Sequence, residues 1–241
     1  MHCILHIGLE KTGTKTLQAF LNRNRERLVR HSVLFPKSPG SRNHRLLALL
    51  AYAADSRDDI TARAWVDSAE DLARVRSSLL ADLQHELESR ACATLLLSSE
   101  HFQSRLRDAD SITRFKQALV QLDCRRFSVL VYLRDPVEIA RSLHASAVAS
   151  GATASGPPAP DSPYFRHICE HRATIELWSS VFGREAVRPR LYDRSELARG
   201  SIIDDFCQAV GIAADPRWVR PPDHNQSISV LGLALLRRLN K

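Results

Sequence analysis

Strand-like and helix-like segments alternate along the 241 residues of this chain, two later strand-like runs are apolar throughout, and the first strand passes through a glycine-rich turn directly into an amphipathic helix. These observations predict a three-layer α/β/α fold with a mainly parallel central sheet, built as one domain over residues 1–241. Cys3 to Ile7 reads as the first strand. Thr14 to Arg30 reads as one helix, with Leu17, Phe20, Leu21 and Leu28 at helical spacing. Val33 to Phe35 is a short strand, Pro36 to Ser41 a loop, and His44 to Ala54 and Asp71 to Glu88 are helical. Ala93 to Leu97 has the unbroken apolar character of a strand covered on both faces, Ile112 to Leu122 is helical, and Phe127 to Leu133 repeats the buried-strand pattern. Asp135 then offers an N-cap, Pro136 the first helical position and Glu138 the third, starting a helix that reaches about Ala149. Ser150 to Pro163 (SGATASGPPAPDSP) lacks the apolar side chains needed for packing and is expected to be a mobile loop or lid. A helix from Tyr164 to Phe182, stopped by Gly183, a last strand from Val187 to Tyr192, a helix from Ile202 to Val210 ended by Gly211, and an amphipathic segment from Ile228 to Leu239 complete the chain.

Composition narrows the function classes. With 44% hydrophobic and 25% charged residues the chain is globular, and a net charge of +7 suits an anionic ligand: a nucleotide, an acidic glycan or a nucleic acid. Only 6% of residues are aromatic and no basic run is interleaved with stacking rings, so a nucleic-acid groove is not expected; Arg23, Arg25, Arg27 and Arg30 read as a solvated helix face. The five cysteines are odd in number, widely spaced and without zinc-site spacing, which fits free thiols in a reducing compartment and no metal centre. No apolar run approaches the roughly 18 residues of a membrane span, and Met1 leads straight into a strand without a signal-peptide cleavage region, so a cytoplasmic protein is expected.

The most informative stretch is Gly8-Leu9-Glu10-Lys11-Thr12-Gly13-Thr14-Lys15-Thr16. A glycine-rich turn between strand and helix points backbone N–H groups at whatever occupies the helix N-terminus, which makes an anion site. Gly8 and Gly13 permit close backbone approach, Lys11 and Lys15 bring positive charge, and Thr12, Thr14 and Thr16 bring hydroxyl donors. The nucleoside-triphosphate loop G-x-x-x-x-G-K-[ST] is missed by one inserted residue, Thr14. By contrast, G-x-x-K-T-G-T resembles the 5′-phosphosulfate loop of sulfotransferases that use 3′-phosphoadenylyl sulfate (PAPS), whose lysine also precedes the second glycine.

A second segment strengthens the resemblance. In those enzymes a strand ends in an arginine and a serine follows eight residues later on the next helix, together gripping the cofactor's 3′-phosphate; Arg134 and Ser142 have that spacing. A guanidinium at a strand end and a hydroxyl about two turns into the following helix suit one dianion on physical grounds alone. In Leu97-Ser98-Ser99-Glu100-His101, a carboxylate and an imidazole follow a buried strand at the sheet edge where α/β folds place ligands, and either suits a general base. S-S-E recurs in bacterial carbohydrate-type sulfotransferases, which favours Glu100, and His44 resembles a histidine often found after the corresponding loop in the same group. Asp205-Phe206 to Gly211 and Asn225-Gln226-Ser227 resemble later family segments, the first mostly packing.

The resemblance implies a P-loop nucleoside-triphosphate-hydrolase-like fold and transfer of a sulfuryl group from PAPS to a hydroxyl or amine, with release of adenosine 3′,5′-bisphosphate; a carbohydrate acceptor, an acidic or lipid-linked saccharide, is expected, while a small alcohol and a peptide tyrosine stay open. Lys11, Glu100 and His44 are then the expected catalytic residues. Lys11, Thr12, Gly13, Thr14, Lys15, Thr16, Arg134 and Ser142 are the expected cofactor ligands. A rival reading is a P-loop kinase or NTPase using ATP and magnesium, with Lys15-Thr16 at the phosphates and Asp135 as the metal carboxylate. A third is a non-catalytic nucleotide or glycan binder, which keeps the loop and needs no base.

Overall fold

The computed structural model describes residues 1–222 and 228–240. In chain order the elements are β1 (His2–His6), α1 (Thr14–Arg23), α2 (Arg25–Arg30), β2 (Val33–Leu34), α3 (Asp59–Arg63), α4 (Ala69–Glu88), β3 (Thr94–Ser98), α5 (His101–Arg105), α6 (Ala109–Gln121), β4 (Arg126–Leu133), α7 (Pro136–Ala149), α8 (Pro163–Cys169), α9 (His171–Phe182), β5 (Val187–Leu191), α10 (Ile202–Val210) and α11 (Val230–Leu239), with 3-10 turns at Arg45–Leu50, Arg184–Ala186 and Ala198–Gly200.

All strand pairings are parallel, in the order β2-β3-β1-β4-β5. Successive side chains of a strand point to opposite faces, so each central strand feeds two cores. Cys3, Leu5, Leu95, Leu97, Val129 and Val131 pack with Leu79 and Leu83 of α4, Phe115 and Leu119 of α6 and Trp178 of α9. Ile4, Leu96, Leu130 and Tyr132 face the other way, onto Leu17, Phe20 and Leu21 of α1 and Ile203 and Phe206 of α10. Burying each such side chain contributes roughly 1.5–3 kcal/mol, so both helical layers are held by apolar contact with the sheet. The expected three layers and parallel sheet are therefore present.

Both edges of the sheet are short or interrupted: β2 has two residues, and β5 reads Val-Arg-Pro-Arg-Leu. Asp205 of α10 ties β4 and β5 together, accepting from Tyr132 Oη at 2.8 Å, from Arg190 at 2.5 and 2.6 Å, and from the Ala198 amide at 3.1 Å. Outside the layers, α7 and α8 share a small cluster of Ile139, Phe165 and Ile168, and Asn240 after α11 donates to the carbonyls of Val148 and Ala152.

Three expected elements are corrected. The helix read over Thr14 to Arg30 breaks at Asn24, whose amide donates to the carbonyls of Phe20 and Val219 while its oxygen accepts from the Val219 amide. The helix read over Tyr164 to Phe182 breaks at Glu170, which lets His171 Nε2 bond the Arg134 carbonyl at 2.7 Å. His44 to Ala54 holds only the 3-10 turn Arg45–Leu50. Residues 150–162 form turns without helix or strand, and no described helix is long and apolar enough to cross a membrane.

Candidate active site

The C-terminal ends of β3, β1 and β4 lie side by side, with His6 in register with Ser98 on one flank and Leu130 on the other. Neighbouring strands are about 4.8 Å apart, so the segments leaving all three converge on one small area. The loop Gly8–Gly13 occupies its centre, Glu100 leaves β3 on one side, and Arg134 leaves β4 on the other.

The loop is shaped by backbone torsion and by its own hydroxyls. Lys11 (φ 66°) and Gly13 (φ 74°) are left-handed, as is usual where successive N–H groups curl around an anion. A Cβ on Gly13 would lie 2.9 Å from the Tyr192 ring, and one on Gly8 would meet Thr14 Oγ at 3.1 Å. Thr12 Oγ donates to the Leu9 carbonyl at 2.6 Å and Thr14 Oγ to the same oxygen at 3.4 Å. These two hydroxyls, expected as ligand donors, are turned inward and close the loop. Gly13 caps α1 without a side-chain bond and the first turn carries no acid, whereas Asp58, Ser68, Asp108, Asp135 and Ser201 cap α3, α4, α6, α7 and α10. The positive end of α1 is left open at the loop.

Lys11 is half-buried and its Nζ donates to Ser146 Oγ of α7 at 2.7 Å. Burial holds its ammonium below the ordinary lysine range; Glu10 opposes this, Lys15 and Arg134 add to it, and Glu100 opposes it. The ammonium therefore stands within electrostatic reach of both flanks. Arg134 donates to the Lys11 carbonyl at 2.7 Å, lies 3.5 Å from Glu138 and stacks over the Tyr192 ring at 5.5 Å. Glu138, Ser142 and Ser146 recur every four residues, so Ser142 lies on the α7 face between the partners of Arg134 and Lys11. Asp135 is spent as the α7 cap, accepting from the amides of Val137 and Glu138 at 2.8 and 3.1 Å, and Lys15 is exposed on α1.

On the other flank, Glu100 Oε2 accepts from Gln18 Nε2 at 3.1 Å. Gln18 also approaches Ser98 Oγ at 3.4 Å, and that hydroxyl bonds His6 Nδ1 at 2.8 Å. His6 is fully buried, and burial alone pushes its imidazole down to about 3. His101 follows on α5 with its Nδ1 buried and unpartnered.

His44, expected to be catalytic, lies at the end of β3. It is fully buried, its Nδ1 accepts from the Ser98 amide at 3.2 Å and its Nε2, which must then carry the proton, donates to the Pro36 carbonyl at 3.0 Å. Burial drives it down to about 3 against the pull of the Pro36 carbonyl, with Arg25 adding to the fall. With both nitrogens engaged it fastens the loop after β2 to the end of β3. Gln18, Ser146, His171 and Tyr192, which sequence does not single out, contact the expected residues Glu100, Lys11 and Arg134. Asn225-Gln226-Ser227 lie outside the described residues.

Two hollows lie elsewhere: one of about 770 Å³ between α10 and residues 212–220, and one of about 690 Å³ beneath the N-terminal sheet edge around His2, Arg126 and Arg188. Neither is lined by the loop.

No protein-family model and no curated protein matches the chain. Among solved structures it is similar to the crystal structure of a sulfotransferase from Alicyclobacillus acidocaldarius, with a TM-score of 0.56 over 98% of this chain and 91% of that one, at 17% identity. The likeness shows that the fold is that of a sulfotransferase, with the P-loop-like arrangement expected from the sequence.

Proposed function

We propose that the protein is a PAPS-dependent sulfotransferase acting on a hydroxyl or amine of a carbohydrate. The observation that carries this reading is the convergence of an uncapped helix N-terminus with Lys11, a strand-end Arg134 and a strand-end Glu100 around one loop. The amides of Thr12 to Thr16 with Lys11 hold the 5′-phosphosulfate, and Arg134 with Ser142 hold the 3′-phosphate. The acceptor oxygen attacks sulfur in line, the bond from sulfur to the 5′-phosphate oxygen breaks, and the acceptor proton passes to a Glu100 carboxylate oxygen. Charge gathers on the leaving phosphate, where Lys11 and the α1 amides lower the barrier. The turns at 150–162, between α7 and α8, are suited to closing over the acceptor.

The cheapest test is thermal. Adenosine 3′,5′-bisphosphate without metal, at a hundredfold above its Kd, should raise Tm by about 5–10 °C, and ATP with magnesium should not. The reverse result would establish the kinase reading. Glu100→Gln should lower turnover about 100-fold while leaving bisphosphate binding unchanged; wild-type turnover in this variant would remove Glu100 as the base.

A further inference from the structure

Gln18 is an amide in an apolar place. It lies on the face of α1 that buries Leu17, Phe20 and Leu21, and only 5% of it is exposed. A buried primary amide costs several kcal/mol unless its polar atoms find partners, and the partners here run in a line: His6 Nδ1 to Ser98 Oγ at 2.8 Å, Ser98 Oγ to Gln18 Nε2 at 3.4 Å, Gln18 Nε2 to Glu100 Oε2 at 3.1 Å. Burial keeps His6 neutral, so the carboxylate is the one formal charge on this line.

We propose that Gln18 is the positioning residue for the Glu100 carboxylate: its amide holds Oε2 and so aims the other oxygen, Oε1, at the acceptor proton. This rests on the sulfotransferase reading above. A carboxylate on a short loop after a strand has free χ rotation, and an N–H bond to one oxygen restrains that rotation. The anchor is rigid for a reason visible in the fold. Ser98 is fixed through both its backbone groups by His44, at 3.1 and 3.2 Å, and α1 is packed on the sheet through Leu17 and Phe20. Gln18 thereby links the helix that begins at the anion loop to the strand that ends at the base, and sets the geometry between them.

The test separates aiming from packing. Gln18→Leu and Gln18→Met keep the volume and remove the donor; each should lower kcat about tenfold, with the Kd for adenosine 3′,5′-bisphosphate within twofold of wild type. In a Glu100→Gln background the same substitutions should change kcat less than twofold, because there is no carboxylate left to aim. Equal losses in both backgrounds, or a parallel loss of bisphosphate affinity, would overturn the proposal in favour of a packing role. A second measurement avoids the Gln18 variants: the side-chain NH₂ resonances of Gln18 in ¹⁵N-labelled protein should shift on Glu100→Gln, and an unmoved pair would overturn the contact itself. Absence of sulfuryl transfer by the wild-type protein would instead defeat the functional reading, and the aiming role with it, while the resonance shift would still report the contact.

Discussion

The two flanks of the anion loop are built by opposite means. On the β3 side the groups are buried and mostly neutral, and one hydrogen-bonded line runs from His6 to Glu100. On the β4 side they are charged and partly solvated: Arg134 meets the Lys11 carbonyl, Glu138 and the Tyr192 ring, and Lys11 reaches Ser146. Hydrogen bonds in a dry interior are directional and fix geometry. Solvated ion pairs are weak, near 0–1 kcal/mol, and exchange partners readily. The β3 flank is therefore suited to orienting a proton acceptor, and the β4 flank to surrendering its internal contacts to an incoming dianion.

The contrast can be broken most severely at its centre. Lys11→Ala should lower turnover at least about 100-fold, read from single-turnover transfer, because the ammonium opposes the charge of the leaving group. Arg134→Ala should weaken adenosine 3′,5′-bisphosphate binding about 10- to 100-fold by calorimetry and leave Tm within about 2 °C, since the side chain surrenders partly buried contacts at the rim of the fold. If Tm collapses instead, the β4 flank is structural and the contrast fails. The β3 flank is sharpened by pH. His6 and His44 are each held down to about 3 in the folded protein, against an ordinary 6.5. Their unfolded forms take up protons first, so the stability they contribute is complete above pH 6.5 and is lost as pH falls toward 3. Urea titrations between pH 6.5 and 5 should show a decline of up to about 1.4 kcal/mol per pH unit for each imidazole. Replacing either with glutamine should remove that imidazole's own share of the slope.

The sheet was legible in the sequence because its strands are buried on both faces: the apolar runs at Ala93 to Leu97 and Phe127 to Leu133 announce themselves without tertiary information. The anion loop was legible because glycine and lysine spacing is local. What escaped were features decided by distant partners. The break at Asn24 is made by Val219, nearly the length of the chain away, and no periodicity within α1 and α2 carries it. In sequence His44 opens a helix and resembles a catalytic histidine, and its burial depends on the close approach of Pro36 and Ser98. Gln18 was hidden by position: a single amide within an apolar stripe reads as a boundary residue until the strand opposite is in place. Its signal in sequence is a polar residue three before Leu21 and one after Leu17, on a face that otherwise packs on the sheet.

The margins of the sheet have a consequence of their own. An open β-strand border is a standing invitation for another chain to zip alongside, and such recruitment is the usual route from folded monomer to insoluble polymer. Here one border is only two residues long, and the other carries Pro189, which has no amide hydrogen to offer, between two bulky cations. Both borders are poor templates, so lengthening β2 or replacing Pro189 would weaken a built-in safeguard against self-assembly.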